Sequence, residues 1–470
     1  MPNRQHVHWV DGLKVLAVLG VFVYHSAMVY AYVRWVITNQ THSVLLSLFA
    51  GVGFSMGMPL LFLLSGAASF FALRKLEAGR FVSLRFRRLI IPMLAGLVLL
   101  SPMQAYLSLR SRGSLDLSLG QYYQQFFTGM DAYFSPRWLA NYGYHLWFLG
   151  FLFLYSAIGL PVFSWLGGRN GRRFTGWLAG VCLRPGGLLL FVAPPAVVQM
   201  VLRARFPWYT DWADFAYWLM FFVAGYVLLT DPRFQQAIAA TWQASLAIVA
   251  GSAAILGAFA LVGLASGIES NPEYSLAAAT YYIARTVNTW SVVVLVLALG
   301  IHAFNRPNRW IDHGSEAVLP FYVLHHPVVV LVAFFVVQWN AGLWIKFGVQ
   351  TVLAFALTMG LYELIVRPFN PMRQLFGLKP RARAHEKAGI GGLAYLATSW
   401  SALGGHQCKR KSPCSTTATS ATAALSFAPL GKPSSTMTTD RPAKSAPGGP
   451  SRSQPSSDSV CLEGFPPPGP

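Results

Sequence analysis

The sequence predicts an all-α polytopic membrane protein of about ten transmembrane helices with both termini cytoplasmic. Three observations lead there. Of its 470 residues, 54% are hydrophobic and only 11% charged, with a mean hydropathy of +0.46, whereas water-soluble domains carry about 25% charged residues. The apolar residues gather in runs near the ~20 residues that cross a hydrocarbon core. The formal charge of +20 is collected in short segments between those runs, which reads as topology and argues against a nucleic-acid partner. The 15 Trp, 33 Phe and 19 Tyr suit a chain with aromatics at the lipid interfaces.

In chain order the apolar runs cover 13–33, 46–73, 89–109, 146–166, 186–202, 213–230, 243–265, 281–304, 318–337 and 343–366. The first is long enough to span, and no small-residue cleavage motif follows it, so it is expected to remain as an anchor. The fifth is the shortest and carries Pro194-Pro195. Two prolines remove backbone donors, so a kinked or broken helix packed inside protein is expected there. Orientation follows from Lys and Arg. Arg74, Lys75, Arg80, Arg85, Arg87 and Arg88 separate runs two and three; Arg169, Arg172, Arg173 and Arg184 follow run four; Arg367, Arg373, Lys379, Arg381, Arg383 and Lys387 follow run ten. Loops of that parity hold about 21 cations against about 7 opposite, which places them inside. The segment 110–145, with Tyr122, Tyr123, Phe126, Phe127 and Trp138, is then the longest exterior loop, suited to packing on the membrane or on a sugar ring.

Two parts are expected: a transmembrane domain over 8–380 and a low-complexity tail over 388–470, with stretches such as Ser415–Ser420 and Phe465–Pro468. The tail lacks hydrophobic periodicity and is read as disordered, because it cannot bury enough apolar surface to offset its ordering entropy. Cys182 stands alone, and Cys408, Cys414 and Cys461 fall in the tail without ligand spacing. Neither a disulfide framework nor a zinc site follows.

Ionisable groups inside apolar helices are costly and mark candidate functional positions. Asp11-Gly12-Leu13-Lys14 opens the first run and Tyr24-His25-Ser26 lies farther along it. Eleven residues make about three turns, so Lys14 and His25 share a face, the imidazole ~16 Å deeper along the axis. That sets a cation at the cytoplasmic mouth and a base near mid-membrane, able to take a proton from a hydroxyl; the structural alternative is a packing histidine. Arg85-Phe86-Arg87-Arg88 runs into Leu89-Ile90-Ile91-Pro92 and puts guanidiniums at the cytoplasmic edge, suited either to a ligand's phosphates or to lipid headgroups. Ser65-Gly66 within the second run offers a close helix approach. His145 opens the fourth run, His325 and His326 lie side by side in the ninth, and Glu363 ends the tenth. Adjacent helical residues point about 100° apart, so His325 and His326 are expected to face differently, one to a cavity and one to packing. A metal site from these histidines is not supported, since none of His25, His145, His325 and His326 stands in an HxxxH or HxxE spacing.

Taken together, these segments resemble the acyltransferase 3 family of membrane-bound acyltransferases. The resemblance rests on Asp11 through His25, Phe62-Leu63-Leu64-Ser65-Gly66, Arg85 through Pro92, His145-Leu146-Trp147-Phe148 and Tyr322 through Pro327. His145 through Leu149, His325-His326-Pro327, Leu361-Tyr362-Glu363 and Phe376-Gly377-Leu378-Lys379-Pro380 make it most similar to the glucan biosynthesis protein C group, linked to succinylation of periplasmic glucans. The resemblance covers about residues 8–380. It implies a bacterial inner-membrane, multi-pass O-acyltransferase that moves an acyl group from cytoplasmic acyl-CoA, a co-substrate rather than a resident cofactor, to an extracytoplasmic glycan. The family's Arg/Lys-x10-His motif falls on Lys14 and His25, lysine replacing the commoner arginine. Its Arg-x-x-Arg falls on Arg85 and Arg88, expected near the donor's phosphates. His25 is then general base or transient acyl carrier, with Asp11, Ser65, His145, His325, His326 and Glu363 in support. A transporter or flippase of a glycan or lipid-linked intermediate is the competing class, using the same buried groups as a proton path.

Overall fold

The computed structural model describes residues 8–381 apart from 132–134, 305 and 307. The tail expected over 388–470, with three of the four cysteines, lies outside the described residues. Among the described residues there is no strand. Fifteen helical segments follow in order: α1 His8–Met28, α2 Val44–Leu73, α3 Ala78–Ser111, α4 Leu119–Thr128, α5 Pro136–Gly167, α6 Arg169–Cys182, α7 Gly187–Leu202, α8 Trp212–Val227, α9 Pro232–Ala240, α10 Trp242–Leu261, α11 Leu264–Ser270, α12 Leu276–Ala303, α13 Arg309–Val336, α14 Leu343–Val366 and α15 Asn370–Leu375.

Eight of these described helices are long and apolar enough to cross a membrane: α1, α2, α3, α5, α10, α12, α13 and α14; nine crossings result if α8 and α9, bent by 109°, are one broken span. The fifth predicted run becomes α7, whose Gly187–Val192 is a 3-10 turn and whose Ala193–Leu202 is α-helical. Pro194 and Pro195 sit in the first turn of that α-helical part, where a missing N–H breaks no intrahelical bond. The first run also shifts. Its helix starts at His8 and stops at Met28, because Val29, Tyr30 and Ala31, each fully buried, fold into a loop instead of extending the helix.

Burial ranks the helices. The apolar window of α13 is 72% buried and that of α10 only 11%, so α13 is the axis of the bundle and α10 its rim. Helix α1 packs against α2, α12, α13 and α14, and α2 packs along α8. The α2–α8 crossing is close because two glycines face it: a Cβ on Gly66 would fall 1.8 Å from Phe222 O, and one on Gly225 1.9 Å from Leu63 O.

Two π-turns interrupt the long helices, over Phe86–Ile90 in α3 and Tyr362–Val366 in α14. The first has a local cause. Pro92 has no N–H to give Arg88 O and its ring crowds that carbonyl, so the ladder widens and Ile91 N–H donates to Phe86 O. Gly377, at φ +74°, lies against the released carbonyl: a Cβ there would come within 2.7 Å of Arg88 O. The segment carrying Gly377 is held by Arg373, which donates to Lys379 O (2.7 Å), Arg367 O (3.1 Å) and Glu316 Oε1 (2.8 Å).

Candidate active site

Four histidines from three helices meet at the C-terminal end of α1. His25 Nδ1 lies 3.1 Å from His325 Nε2. The His25 ring is edge-on to His326 at 4.6 Å, and His326 stacks on His145 at 4.7 Å with the planes 6° apart. His325 and His326 do point apart, their planes at 81°, yet both touch His25, which sits in the angle between them. Adjacent positions on α13 thus grip one ring from two sides, rather than one facing a cavity and the other only packing.

Each ring is anchored from behind. His325 Nδ1 donates to Tyr322 O at 2.7 Å, with Phe321 O at 3.2 Å. His326 Nδ1 lies 2.5 Å from Gln104 Oε1, and the Gln104 amide donates to Leu100 O at 3.2 Å. His145 Nε2 donates to Val323 O at 3.2 Å, the Tyr322 hydroxyl donates to His145 O, and His145 Nδ1 is buried without a partner. The turn presenting His145 begins at Tyr144, whose φ of 51° is rare for a non-glycine residue and is the kind of local strain that clusters at functional sites. Exposure separates the four: His325, His326 and His145 are 0%, 3% and 6% exposed, while His25 is only half-buried. His25 is therefore the most exposed ring of the four.

The loop between α1 and α2 covers this end. Trp35 stacks on His25 at 5.9 Å, and Arg112 donates to Trp35 O at 3.1 Å. Desolvation holds Arg112 below the usual guanidinium value, with Arg34 adding repulsion. Lys346 Nζ holds Asn39 Oδ1 (3.3 Å) and Val337 O (2.9 Å), and the Tyr30 hydroxyl reaches Gln350 Oε1 at 2.8 Å.

Toward the N-terminal end of α1 the chemistry is cationic. Lys14 pairs with Asp11 at 3.1 Å and lies within electrostatic reach of Arg85 and Arg88. Arg85 Nη2 donates to Ser69 Oγ at 2.8 Å, and Ser69 Oγ donates to Ser65 O at 2.9 Å; the Arg85 guanidinium also lies 5.1 Å from the Phe81 ring centroid. The predicted Ser65 thus contributes through its carbonyl at this cationic end. Glu363 is engaged elsewhere, by His313 at 2.9 Å and Arg367 at 2.6 Å, and takes no part in the histidine cluster. Among the described residues no group of three or more His, Cys, Asp or Glu is arranged to hold a metal ion. Sequence reasoning missed Trp35, Gln104 and Ser69, and named Tyr322 only as the start of the Tyr322–Pro327 motif. For Gln104 a signal existed, an amide within an apolar run, which burial makes costly unless paired.

A bundle of eight or more long apolar helices among the described residues, with an imidazole at one end of α1 and guanidiniums toward the other, is the frame of a multi-pass membrane protein. Residues 7–363 match the family model described as an acyltransferase domain, the acyltransferase 3 family, and the chain belongs to that family. Among curated proteins it is similar to the Glucans biosynthesis protein C of Salmonella heidelberg (strain SL476), Salmonella paratyphi B and Salmonella agona. Each is 22% identical over 409 residues, covering 82% of this chain and 98% of the relative. No solved structure matches it.

Proposed function

We propose that this chain is a bacterial inner-membrane O-acyltransferase that takes an acyl group from cytoplasmic acyl-CoA and places it on a hydroxyl of an extracytoplasmic glycan. In this reading both termini are cytoplasmic and the bundle crosses the membrane about ten times. The supporting observation is the position of His25, half-buried and gripped by His325 and His326 on the same helix that carries Lys14. Lys14, Arg85 and Arg88 hold the donor's phosphates, with Asp11 orienting Lys14 and Ser69 orienting Arg85. The thioester then extends along α1 toward His25, ~16 Å away along the helix axis. The imidazole takes the acceptor's hydroxyl proton, the oxygen attacks the thioester carbonyl, the C–S bond breaks, and the proton passes to the departing sulfur. The printed name of the curated relatives, glucans biosynthesis, supports a glycan acceptor, and succinyl is the first acyl group to test.

The test is mass spectrometry of surface and periplasmic glycans from cells with the protein, without it, and with His25→Ala. We expect one acyl unit per modified sugar to disappear in the last two, with transfer from labelled acyl-CoA in membrane vesicles falling about 10²–10⁴-fold for the variant. Unchanged glycans in all three, with the protein present, would refute the reading. Movement of unmodified glycan across the vesicle would replace it with transport.

A further inference from the structure

The hydrogen bonds around His325 decide which nitrogen of His25 is the base. A backbone carbonyl carries no proton, so a ring nitrogen facing one has to be the donor. His325 Nδ1 faces two, Tyr322 O at 2.7 Å and Phe321 O at 3.2 Å, and therefore bears the hydrogen. In a neutral imidazole the other nitrogen is then an acceptor. That nitrogen, Nε2, lies 3.1 Å from His25 Nδ1, which makes His25 Nδ1 the donor and leaves the His25 lone pair on Nε2.

The neighbouring rings offer no competing bond. His326 turns its Nδ1 to Gln104 Oε1, whose direction is fixed because the same amide donates to Leu100 O. His145 turns its Nε2 to Val323 O. Nor is His325 free to rotate: it is fully buried, stacked on Phe321 at 5.9 Å with planes 3° apart, and met by Phe22 at 6.4 Å. The His25 plane is in turn set by Trp35 and His326.

We propose that His325 is a positioning residue that fixes the tautomer of His25, so that Nε2 is the nitrogen that accepts the proton from the acceptor hydroxyl. This deepens the acyltransferase reading and rests on it for the identity of the proton donor. The proton moves from the hydroxyl to His25 Nε2. The resulting imidazolium keeps its Nδ1–H bond to the neutral His325, and Nε2 returns the proton to the leaving thiolate. Orienting groups of this kind matter because a base held in the wrong tautomer presents a proton where a lone pair is needed.

Two variants separate this role from mere packing. His325→Gln can set an amide oxygen near the place of Nε2 and still accept from His25; His325→Phe keeps a ring of similar footprint without any acceptor. The full chain, labelled with ¹⁵N-histidine and held in lipid nanodiscs, is read by nitrogen NMR, with the His25 signal identified by its loss in His25→Gln. The wild type and His325→Gln are expected to show His25 protonated at Nδ1, and His325→Phe to shift it toward Nε2. In the transfer assay His325→Phe is expected to lose about 10²–10⁴-fold in kcat with the KM for acyl-CoA unchanged, and His325→Gln to recover most of that loss. His25 protonated at Nε2 in the wild type overturns the proposal, as does a folded His325→Phe with unaltered tautomer and kcat. Should His325→Phe fail to fold, the wild-type spectrum alone decides. An Nδ1-protonated His25 in a protein that transfers no acyl group upholds the tautomer assignment and refutes the acyltransferase reading.

Discussion

Substituting Gly66 or Gly225 by alanine tests the helix crossing on which the bundle depends. The added methyl would stand 1.8 Å from Phe222 O in one case and 1.9 Å from Leu63 O in the other. Ordinary contact begins near 3.4 Å, and the obstacle is backbone that no rotamer change can clear. Helices α2 and α8 must therefore part by about 1.5 Å, loosening Phe62, Leu63, Leu64, Phe221 and Phe222, each at most 1% exposed. Overpacking of this kind costs ~1–3 kcal/mol, and a rigid obstacle argues for the upper end, about 3. The better helix propensity of alanine returns ~1 kcal/mol, leaving about 2 kcal/mol and a loss of several °C in Tm. Gly57→Ala is the control: it lies in the same helix with nothing within 4 Å of its added methyl, and should be neutral or slightly stabilising. Because Gly66 and Gly225 face the same crossing, the double variant should cost little more than either single one, a coupling of about 2 kcal/mol. Thermal unfolding of the four variants in one detergent measures all of this. Singles indistinguishable from Gly57→Ala, or a double variant whose loss equals the sum, would refute the reasoning.

Two further outcomes are expected. Arg85→Gln should raise the KM for acyl-CoA by about tenfold, the scale of one hydrogen bond to a charged group, while Ser69→Ala, which removes the Arg85 anchor and the bond from Ser69 to Ser65 O but leaves the guanidinium in place, should raise it by no more than about fivefold; initial rates in vesicles measure both. Lys346→Met should free the α1–α2 loop by removing the bonds to Asn39 and Val337, seen as faster amide hydrogen exchange over 30–43 with unchanged exchange in α13.

What the chain reveals before folding depends on how local each feature is. Lys14 and His25 share a helix, so a period of 3.6 residues sufficed to put them on one face. His325 and His326 were recognisable as ionisable groups in an apolar run. That they grip His25 was not, because the contact joins residues 300 apart in sequence and depends on the register of α13 against α1. The same holds for Gly225, one glycine among many until its backbone is seen against Leu63. Hydropathy overcounted the long helices where the short run 186–202 forms a 3-10 turn followed by an α-helix from Ala193, and where the chain turns by 109° after α8. It also misplaced the end of α1, since the apolar residues 29–31 serve a folded loop as well as a helix would. His25 consequently stands in the last turn of α1 and not midway along it.

That placement gives α1 its particular importance. At the Lys14 end it is clamped by close approaches: a Cβ on Gly12 would lie 2.5 Å from Phe304, one on Gly300 2.5 Å from Leu13, and one on Gly314 3.1 Å from Val15. At the His25 end the tie to α13 is a side-chain hydrogen bond of 3.1 Å. Close packing of side chains on glycine resists displacement, and a hydrogen bond weakens steeply with misalignment. The register of α1 against α12 and α13 is therefore set near the cations and tested ~16 Å away, at the imidazole. A substitution at Gly12, Gly300 or Gly314 meets the side chains of Phe304, Leu13 and Val15, and where those side chains do not give way it is expected to shift α1 and with it the bond between His25 and His325. Packing at the Lys14 end of α1 is thereby expected to influence the geometry of His25 at the other end.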